Sequence, residues 1–284
     1  MKLAVSNIAW APSERDAAYS LLRSRGIRGL EIAPRLFFEG ATDPFAPTEP
    51  DAERALSATQ EAGLEVVSMQ SLLFGVRGAA LFEGDDARDR FRAAMLRTID
   101  LAGRFAIPNL VFGSPHQRNI PDGMSTEIAK GLARDVFRDL GDAAGRAGTK
   151  LGIEFNPPAY GTNFLNDVAE ADAFVQSVDH PAVSLILDVG AMHMNGDFGK
   201  IDFVATRLCS RISHVHVSEP NLAPAPASAK QAARVLSAMA NGGYIGWYSI
   251  EMKQQPSLGL TALEKAIDRL LEAADLAGQE VDLS

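Results

Sequence analysis

The sequence has little of what marks disulfide-stabilised, membrane-spanning or nucleic-acid-binding proteins. Its one cysteine, Cys209, allows no intramolecular disulfide and no metal site built from several thiolates. None of its apolar runs reaches the roughly 18 residues that would cross a bilayer. The formal net charge is −9, whereas a nucleic-acid partner usually requires a basic face. We therefore expect neither a membrane nor a nucleic acid as a partner.

The first residues and the composition bear on location and domain number. Residues 1–6 (MKLAVS) enter a predicted strand directly and carry no signal-peptide pattern, so we expect a cytoplasmic protein. The chain has 284 residues, 46% of them apolar, and no low-complexity stretch or long Pro/Gly linker divides it. We therefore predict one domain over residues 1–284. The sequence is compatible with a homo-oligomer.

Short apolar runs alternate with longer segments of helical periodicity. The predicted strands cover residues 2–8, 29–34, 65–71, 108–113, 150–156, 183–189, 212–218 and 247–252. The predicted helices cover residues 13–25, 49–62, 86–105, 125–147, 167–177, 202–209, 228–241 and 260–277. Eight such units with apolar strands predict an α/β fold, the (β/α)₈ TIM barrel. A doubly wound open sheet is the alternative, but no Gly-rich dinucleotide fingerprint follows the first strand.

A lone polar residue lies near the end of each of the last four predicted strands: Glu154, Asp188, His216 and Glu251. Burying an isolated carboxylate is costly unless it is paired or holds a metal. The alternation of side chains along a strand turns all four toward the barrel mouth. Taken singly, each could be a structural salt-bridge partner or a satisfied core histidine. Together they predict a site for one divalent cation, and the oxygen-rich donor set favours Mn²⁺ or Mg²⁺, with Co²⁺ or Zn²⁺ as alternatives.

These segments resemble the xylose isomerase-like TIM-barrel superfamily, of the AP endonuclease family 2 type, in its sugar (phosphate) isomerase/epimerase branch. The resemblance is carried by residues 152–157 (GIEFNP), 187–190 (LDVG), 214–219 (HVHVSE) and 249–252 (SIEM). It implies that Glu154, Asp188, His216 and Glu251 bind one divalent metal. It also implies that Glu154 and Glu251 act as acid and base on a metal-stabilised enediolate.

The resemblance implies an isomerase or epimerase that acts on a sugar, a cyclitol or a related polyhydroxy carbonyl compound. A lyase or dehydratase that uses the same enolate chemistry is an alternative, and so is a barrel that binds a sugar without turnover. An apurinic endonuclease of the same superfamily is a further reading. It would need a multi-metal cluster with additional histidines, and Gln70 stands near the end of the third predicted strand instead.

Further residues near the predicted strand ends are candidates for substrate binding: Trp10, Glu31, His116, Asn156, His193, His214 and Lys253. Glu31 could equally satisfy buried polar groups, and Lys253 could be solvated. His214 shares the strand parity of His216 and is expected one layer lower. The family often has a histidine where this chain has Ala191. We expect His193 either to take that role through a loop shift or to be a surface histidine.

Two departures from the family pattern concern the substrate. Gly161 occupies the place of a glutamate that helps to bind the substrate in ketose 3-epimerases of the family. Leu222 stands where an arginine commonly follows the His-x-His strand. A site that lacks such polar partners binds a small free ketohexose less well. We therefore expect a modified or larger hydroxy-carbonyl substrate, such as a sugar conjugate or a cyclitol.

Overall fold

The computed structural model describes residues 1–281, and its eight parallel strands follow one another in chain order around a closed barrel. The strands are β1 (Lys2–Ser6), β2 (Gly29–Ile32), β3 (Glu65–Met69), β4 (Asn109–Phe112), β5 (Lys150–Glu154), β6 (Val183–Asp188), β7 (Ile212–Ser218) and β8 (Trp247–Glu251). Helices separate consecutive strands. The predicted (β/α)₈ TIM barrel is confirmed.

Ten α-helices lie in the described part of the chain. They are α1 (Arg15–Ser24), α2 (Pro34–Phe37), α3 (Glu49–Glu61), α4 (Asp85–Arg104), α5 (Thr126–Ala147), α6 (Val168–Val178), α7 (Val189–Met194), α8 (Ile201–Leu208), α9 (Ala229–Asn241) and α10 (Leu260–Val281). All eight predicted helices are present within a few residues of their predicted bounds. The short helices α2 and α7 were not predicted, because one or two turns carry too little periodicity to be recognised. No helix among residues 1–281 is both long enough and apolar enough to cross a membrane.

Side-chain caps begin several of the helices. Thr48 and Ser125 accept the backbone N–H three residues further along, which is the expected capping geometry. Ser13 precedes α1 but is not its cap residue. Pro12–Glu14 forms a 3₁₀ turn there, and the Glu14 carboxylate accepts the main-chain N–H of Ala11 at 3.2 Å. Helix α1 therefore begins only after this turn, at Arg15.

The chain divides into two compact units, a first unit of residues 1–67 and 188 onward, and a second unit of residues 68–187. In the first unit, β1 pairs with β2 and β8, and β8 pairs with β7. His216 is opposite Ser249, and Ser218 is opposite Glu251. The carboxyl ends of β7 and β8 are therefore level. The prediction of one domain stays a prediction.

In the second unit, β4 pairs with β3 and β5, and β5 pairs with β6. Its core contains four phenylalanine rings, one each from β4, α4, α5 and α6: Phe112, Phe91, Phe137 and Phe174. The ring of Phe137 lies 4.9 Å from that of Phe112 and 5.5 Å from that of Phe174, in edge-to-face contact. These contacts fix the helices against β4 and so set the position of the β4 and β5 ends.

Candidate metal centre

His216 is the centre of a cluster of charged side chains in the first unit. Its side chain has no exposed surface. Its Nδ1 atom lies 3.2 Å from Oε2 of Glu251 and 3.7 Å from Oδ2 of Asp188. Two carboxylates therefore converge on one ring nitrogen of the imidazole.

The second ring nitrogen of His216 contacts a third carboxylate. Nε2 of His216 lies 3.1 Å from Oε2 of Glu31, and Nε2 of His214 lies 3.2 Å from the same oxygen. An Nε2–H that donates to Glu31 leaves the lone pair of His216 on Nδ1, facing Asp188 and Glu251. Histidines that bind metals are usually held in this way by a carboxylate on the second nitrogen.

Glu31 stays ionised in this buried position. Burial alone would raise the pKa of its carboxyl group, but His216 and His214 together hold that pKa well below its usual range. The carboxylate has no exposed surface. Of the two alternatives predicted for Glu31, satisfying buried polar groups is the one that this geometry favours. His214 lies one layer below His216, as its strand parity predicts.

Asp188 combines the end of β6 with the start of α7. Its Oδ1 atom accepts the main-chain N–H of Ala191 at 2.6 Å and so caps the helix. The same oxygen accepts the hydroxyl of Ser218 at 2.9 Å, and the Ser218 oxygen accepts the N–H of Gly190 at 2.8 Å. These bonds leave Oδ2 as the oxygen that faces His216.

In the second unit, Glu154 ends β5 and is buried. Its Oε2 atom accepts a hydrogen bond from Nδ2 of Asn156 at 3.1 Å. Oδ1 of Asn156 accepts one from Nη2 of Arg118 at 3.0 Å, and Nη1 of Arg118 donates to the main-chain oxygen of Glu154 at 2.7 Å. Asn156, predicted as a substrate contact, thus contacts a predicted metal ligand.

Arg118 was not singled out by the sequence. It has no exposed surface, and burial lowers its pKa to about 10 against the opposing effect of Glu154 and Glu170. Its position in residues 114–118 (SPHQR), after a predicted strand, was the only available signal. A charged residue in such a loop is usually solvated, so the sequence gives no reason to place it in the core.

Two groups of buried side chains in the described residues could each hold a metal ion. One contains Asp188, His216 and Glu251, three of the four predicted ligands, and the other is Glu31, His214 and His216. The first set offers two carboxylates and one imidazole within the first unit, which are donors that suit a hard divalent cation. In the second set Glu31 is already bonded to Nε2 of His216 and lies 3.2 Å from Nε2 of His214. The donor chemistry therefore fits one divalent ion at the first set.

Three further predicted substrate contacts differ in their exposure. Trp10 is only 3% exposed and meets the ring of Tyr19 edge-on at 6.2 Å, which favours packing in the core. Lys253 is exposed at the end of β8. His116 is exposed in the 3₁₀ helix Pro115–Arg118. A role for these side chains in substrate binding stays a prediction.

The loop shift considered for His193 does not occur, and a role for His193 in substrate binding stays a prediction. Residues 189–194 form α7 directly after Asp188, so there is no loop to rearrange. Ala191 and His193 lie two residues apart on this helix and therefore point to different sides. The ring of His193 stacks on Phe198 with a centroid distance of 4.1 Å.

The closed barrel and the buried carboxylates and imidazole at its strand ends place this chain among TIM-barrel proteins with a candidate metal site. The sequence profile of the xylose isomerase-like TIM barrel family matches residues 19–276, and the chain belongs to that family. The resemblance seen in the sequence is thereby confirmed. Among curated proteins, no sequence matches this chain.

Solved structures agree with this fold. The 3-keto-D-glucoside 4-epimerase YcjR from E. coli is 17% identical, with a TM-score of 0.73 over 97% of this chain and 99% of that one. An L-ribulose 3-epimerase is 17% identical, with a TM-score of 0.78 over 99% and 97% of the two chains. A D-psicose 3-epimerase studied with D-fructose is 17% identical, with a TM-score of 0.76 over 98% and 100%. At these identities the likeness shows the fold alone.

Proposed function

We propose that this protein is a divalent-metal-dependent isomerase or epimerase of a sugar, a cyclitol or a related hydroxy-carbonyl compound. The observation that carries the proposal is the environment of His216. One ring nitrogen faces the carboxylates of Asp188 and Glu251, and the other contacts Glu31 at 3.1 Å. A buried imidazole with one nitrogen held by a carboxylate and the other facing two further carboxylates is suited to hold a cation.

Glu154, Asp188, His216 and Glu251 are the proposed metal ligands. Glu154 ends β5 and Glu251 ends β8, and in a TIM barrel the catalytic residues lie at the carboxyl ends of the strands. The family membership of the chain supports the same assignment. When bound, a divalent ion would polarise a substrate carbonyl and lower the energy of the enediolate.

Glu154 and Glu251 are the proposed acid and base. One carboxylate removes the proton from the carbon next to the carbonyl, and the other returns a proton to that carbon or its neighbour. Asp188 and His216 hold the ion without taking part in proton transfer. A proton returned to the opposite face of the same carbon gives an epimer, and one returned to the neighbouring carbon gives an isomer.

The surroundings of Gly161 support a substrate other than a small free ketohexose. Gly161 has a φ of +83°, which disfavours any side chain there. A Cβ atom at this position would lie 2.8 Å from Cε1 of His116, so that ring takes the space of a longer side chain. The 3-keto-D-glucoside substrate in the name of one structural relative belongs to the class of larger substrates that we propose.

The test measures metal content and solvent deuterium incorporation together. Protein loaded with Mn²⁺ is incubated in D₂O with D-fructose, D-tagatose, inososes and 3-keto-glucosides. We expect about one ion per chain and exchange at one carbon of a substrate in the panel. Appearance of a dehydrated product would instead identify a lyase.

Variants connect the measurement to the proposed ligands. E251Q and H216A should each lose most of the bound Mn²⁺, whereas E65Q, which alters an exposed glutamate at the start of β3, should keep it. E154Q should slow exchange by about 10²–10⁴-fold, because the glutamine has no basic oxygen. Full metal occupancy in both E251Q and H216A would overturn the ligand assignment.

A further inference from the structure

Arg118 is a buried cation whose hydrogen bonds lead to one carboxylate. It ends the 3₁₀ helix Pro115–Arg118 after β4 and has no exposed surface. Nη1 donates to the main-chain oxygen of Glu154 at 2.7 Å. Nη2 donates to Oδ1 of Asn156 at 3.0 Å and to the main-chain oxygen of Leu165 at 3.4 Å. Its acceptors are therefore two carbonyls and one amide, all uncharged.

Burying a guanidinium in this way costs folding free energy, because the charge is removed from water. A charge taken out of water must be compensated by well-placed partners, and an apolar residue of similar volume often serves stability as well. The guanidinium also lies 5.8 Å from the ring centroid of Phe112, and its Nε has no hydrogen-bond partner among the described residues. An apolar residue of similar volume would fill the same space without a buried charge. The groups that Arg118 contacts indicate a role beyond packing.

That role follows from the direction of the hydrogen bonds. Arginine has donors only, so the amide of Asn156 must turn its oxygen to Arg118. The Nδ2 group of Asn156 is then fixed on the opposite side, where it donates to Oε2 of Glu154 at 3.1 Å. A reversed amide would place two acceptor oxygens against each other. Arg118 thus determines that the Nδ2 end of the Asn156 amide, and not its Oδ1 end, meets the carboxylate.

We propose that Arg118 is a positioning residue for Glu154, acting on its carboxylate through Asn156 and on its main chain directly. The proposal rests on the proposed function, in which Glu154 is a metal ligand and a base. Arg118 itself does not touch the substrate. Second-layer residues of this kind commonly contribute about 10–100-fold to metal affinity.

The experiment is a double-mutant cycle on Mn²⁺ affinity, measured from the free-ion signal in electron paramagnetic resonance. R118M and N156A should each weaken Mn²⁺ binding by about tenfold or more. Because Arg118 acts through Asn156, R118M/N156A should bind Mn²⁺ much more tightly than the sum of the two single effects predicts. R118K keeps the charge but not the planar fork, and it should fall between wild type and R118M.

R138M is the matched control. Arg138 also lies in the second unit and donates to a main-chain carbonyl, that of Val178, at 3.0 Å and 3.1 Å. It should leave Mn²⁺ affinity unchanged. If R118M does not fold, N156A and R118K still test the proposal, because wild-type affinity in both would overturn it.

E154Q separates this proposal from the proposed function. If E154Q binds Mn²⁺ and exchanges deuterium like wild type, the proposed function fails together with the inference. If E154Q is impaired but R118M and N156A are additive or without effect, only the role of Arg118 is overturned. Among folded variants with a substrate that exchanges, R118M should lower kcat and leave KM within about threefold, because it misplaces a base without removing a substrate contact.

Discussion

A Cβ atom added to Gly113 would lie 2.5 Å from Oε2 of Glu154. Real Cβ atoms essentially never come within 3.0 Å of another heavy atom, so the carboxylate lies in space that only a glycine leaves open. Gly113 directly follows β4, and its φ is not in the left-handed region. Glycine is therefore required here for close approach by a side chain and not for the backbone conformation.

The G113A variant should fold but lose function. The atom in conflict is the tip of a flexible side chain, so Glu154 moves, and the free energy of unfolding should fall by about 1–3 kcal/mol because the buried hydrogen bond from Asn156 is lost. Mn²⁺ affinity and deuterium exchange should both fall about tenfold or more, since Glu154 leaves Asn156. G131A is the control, because a Cβ at that position in α5 meets nothing within 4 Å. Wild-type Mn²⁺ affinity in G113A would contradict the proposed role of Glu154.

E31Q should weaken Mn²⁺ binding while the protein remains folded. Glutamine keeps the shape of the side chain but offers no charge to hold the Nε2–H of His216. We expect a loss of about 10–100-fold in Mn²⁺ affinity by calorimetric titration. E65Q makes the same chemical change at an exposed position and should have no effect. Equal affinities in the two variants would exclude a positioning role for Glu31.

S218A should affect stability and ion binding together. The hydroxyl donates to Asp188 at 2.9 Å and accepts from Gly190 at 2.8 Å, so its removal leaves two buried groups without that partner. We expect the free energy of unfolding to fall by about 1–3 kcal/mol in urea titrations. Mn²⁺ affinity should fall several-fold, because Asp188 loses one of its restraints. S20A, which deletes an exposed hydroxyl of α1, should change neither quantity measurably.

Two tyrosines of the first unit, the buried Tyr248 and the half-buried Tyr244, should respond oppositely to loss of the hydroxyl. The Tyr248 hydroxyl is buried and has no hydrogen-bond partner in the described residues, whereas that of Tyr244 donates to the main-chain oxygens of Trp247 and Ser213. Y248F should therefore keep or raise the free energy of unfolding, and Y244F should lower it by about 1 kcal/mol. A larger loss in Y248F than in Y244F would contradict this assignment.

The same tyrosines predict an alkaline limit to stability. Burial raises the pKa of Tyr248 above its ordinary value of 10.0, so above pH 10 the unfolded chain releases a proton that the folded chain keeps. Stability is therefore fully present below pH 10 and falls as the pH rises through the folded pKa. Urea titrations between pH 9 and about pH 11 should show a shallower decline in Y248F than in wild type.

Much of the barrel could be predicted because its signals are local. Alternation of apolar strands with periodic helices gave all eight strands, and the polar residues at strand ends gave Asp188, His216 and Glu251 as neighbours. Strand parity also predicted that His214 lies below His216. Each of these inferences needs only the period of a strand and the rule that barrel sites lie at the carboxyl ends.

The contacts that the sequence did not reveal join residues that are far apart along the chain. Arg118 and Asn156 are 38 residues apart, and neither neighbourhood indicates that their side chains meet. Likewise, Glu31 is 185 residues from His216, so only the fold decides between a substrate contact and a partner of histidine. The helix that carries His193 was not predicted, because α7 is too short to be recognised from periodicity.

The helix cap at Asp188 means that the fold orders this side chain before any ion arrives. Fixing a flexible side chain on binding costs conformational entropy, and a carboxylate that already bonds Ala191 and Ser218 has lost that freedom. The side chain of Asp188 is therefore preorganised for an ion, because its conformational entropy is lost when the protein folds and not when the ion binds. Position 188 therefore serves the helix and the proposed ion site together. Asp188→Glu, which preserves the charge, would disturb the start of α7 along with the ligand, because the longer side chain moves the oxygen that accepts the N–H of Ala191.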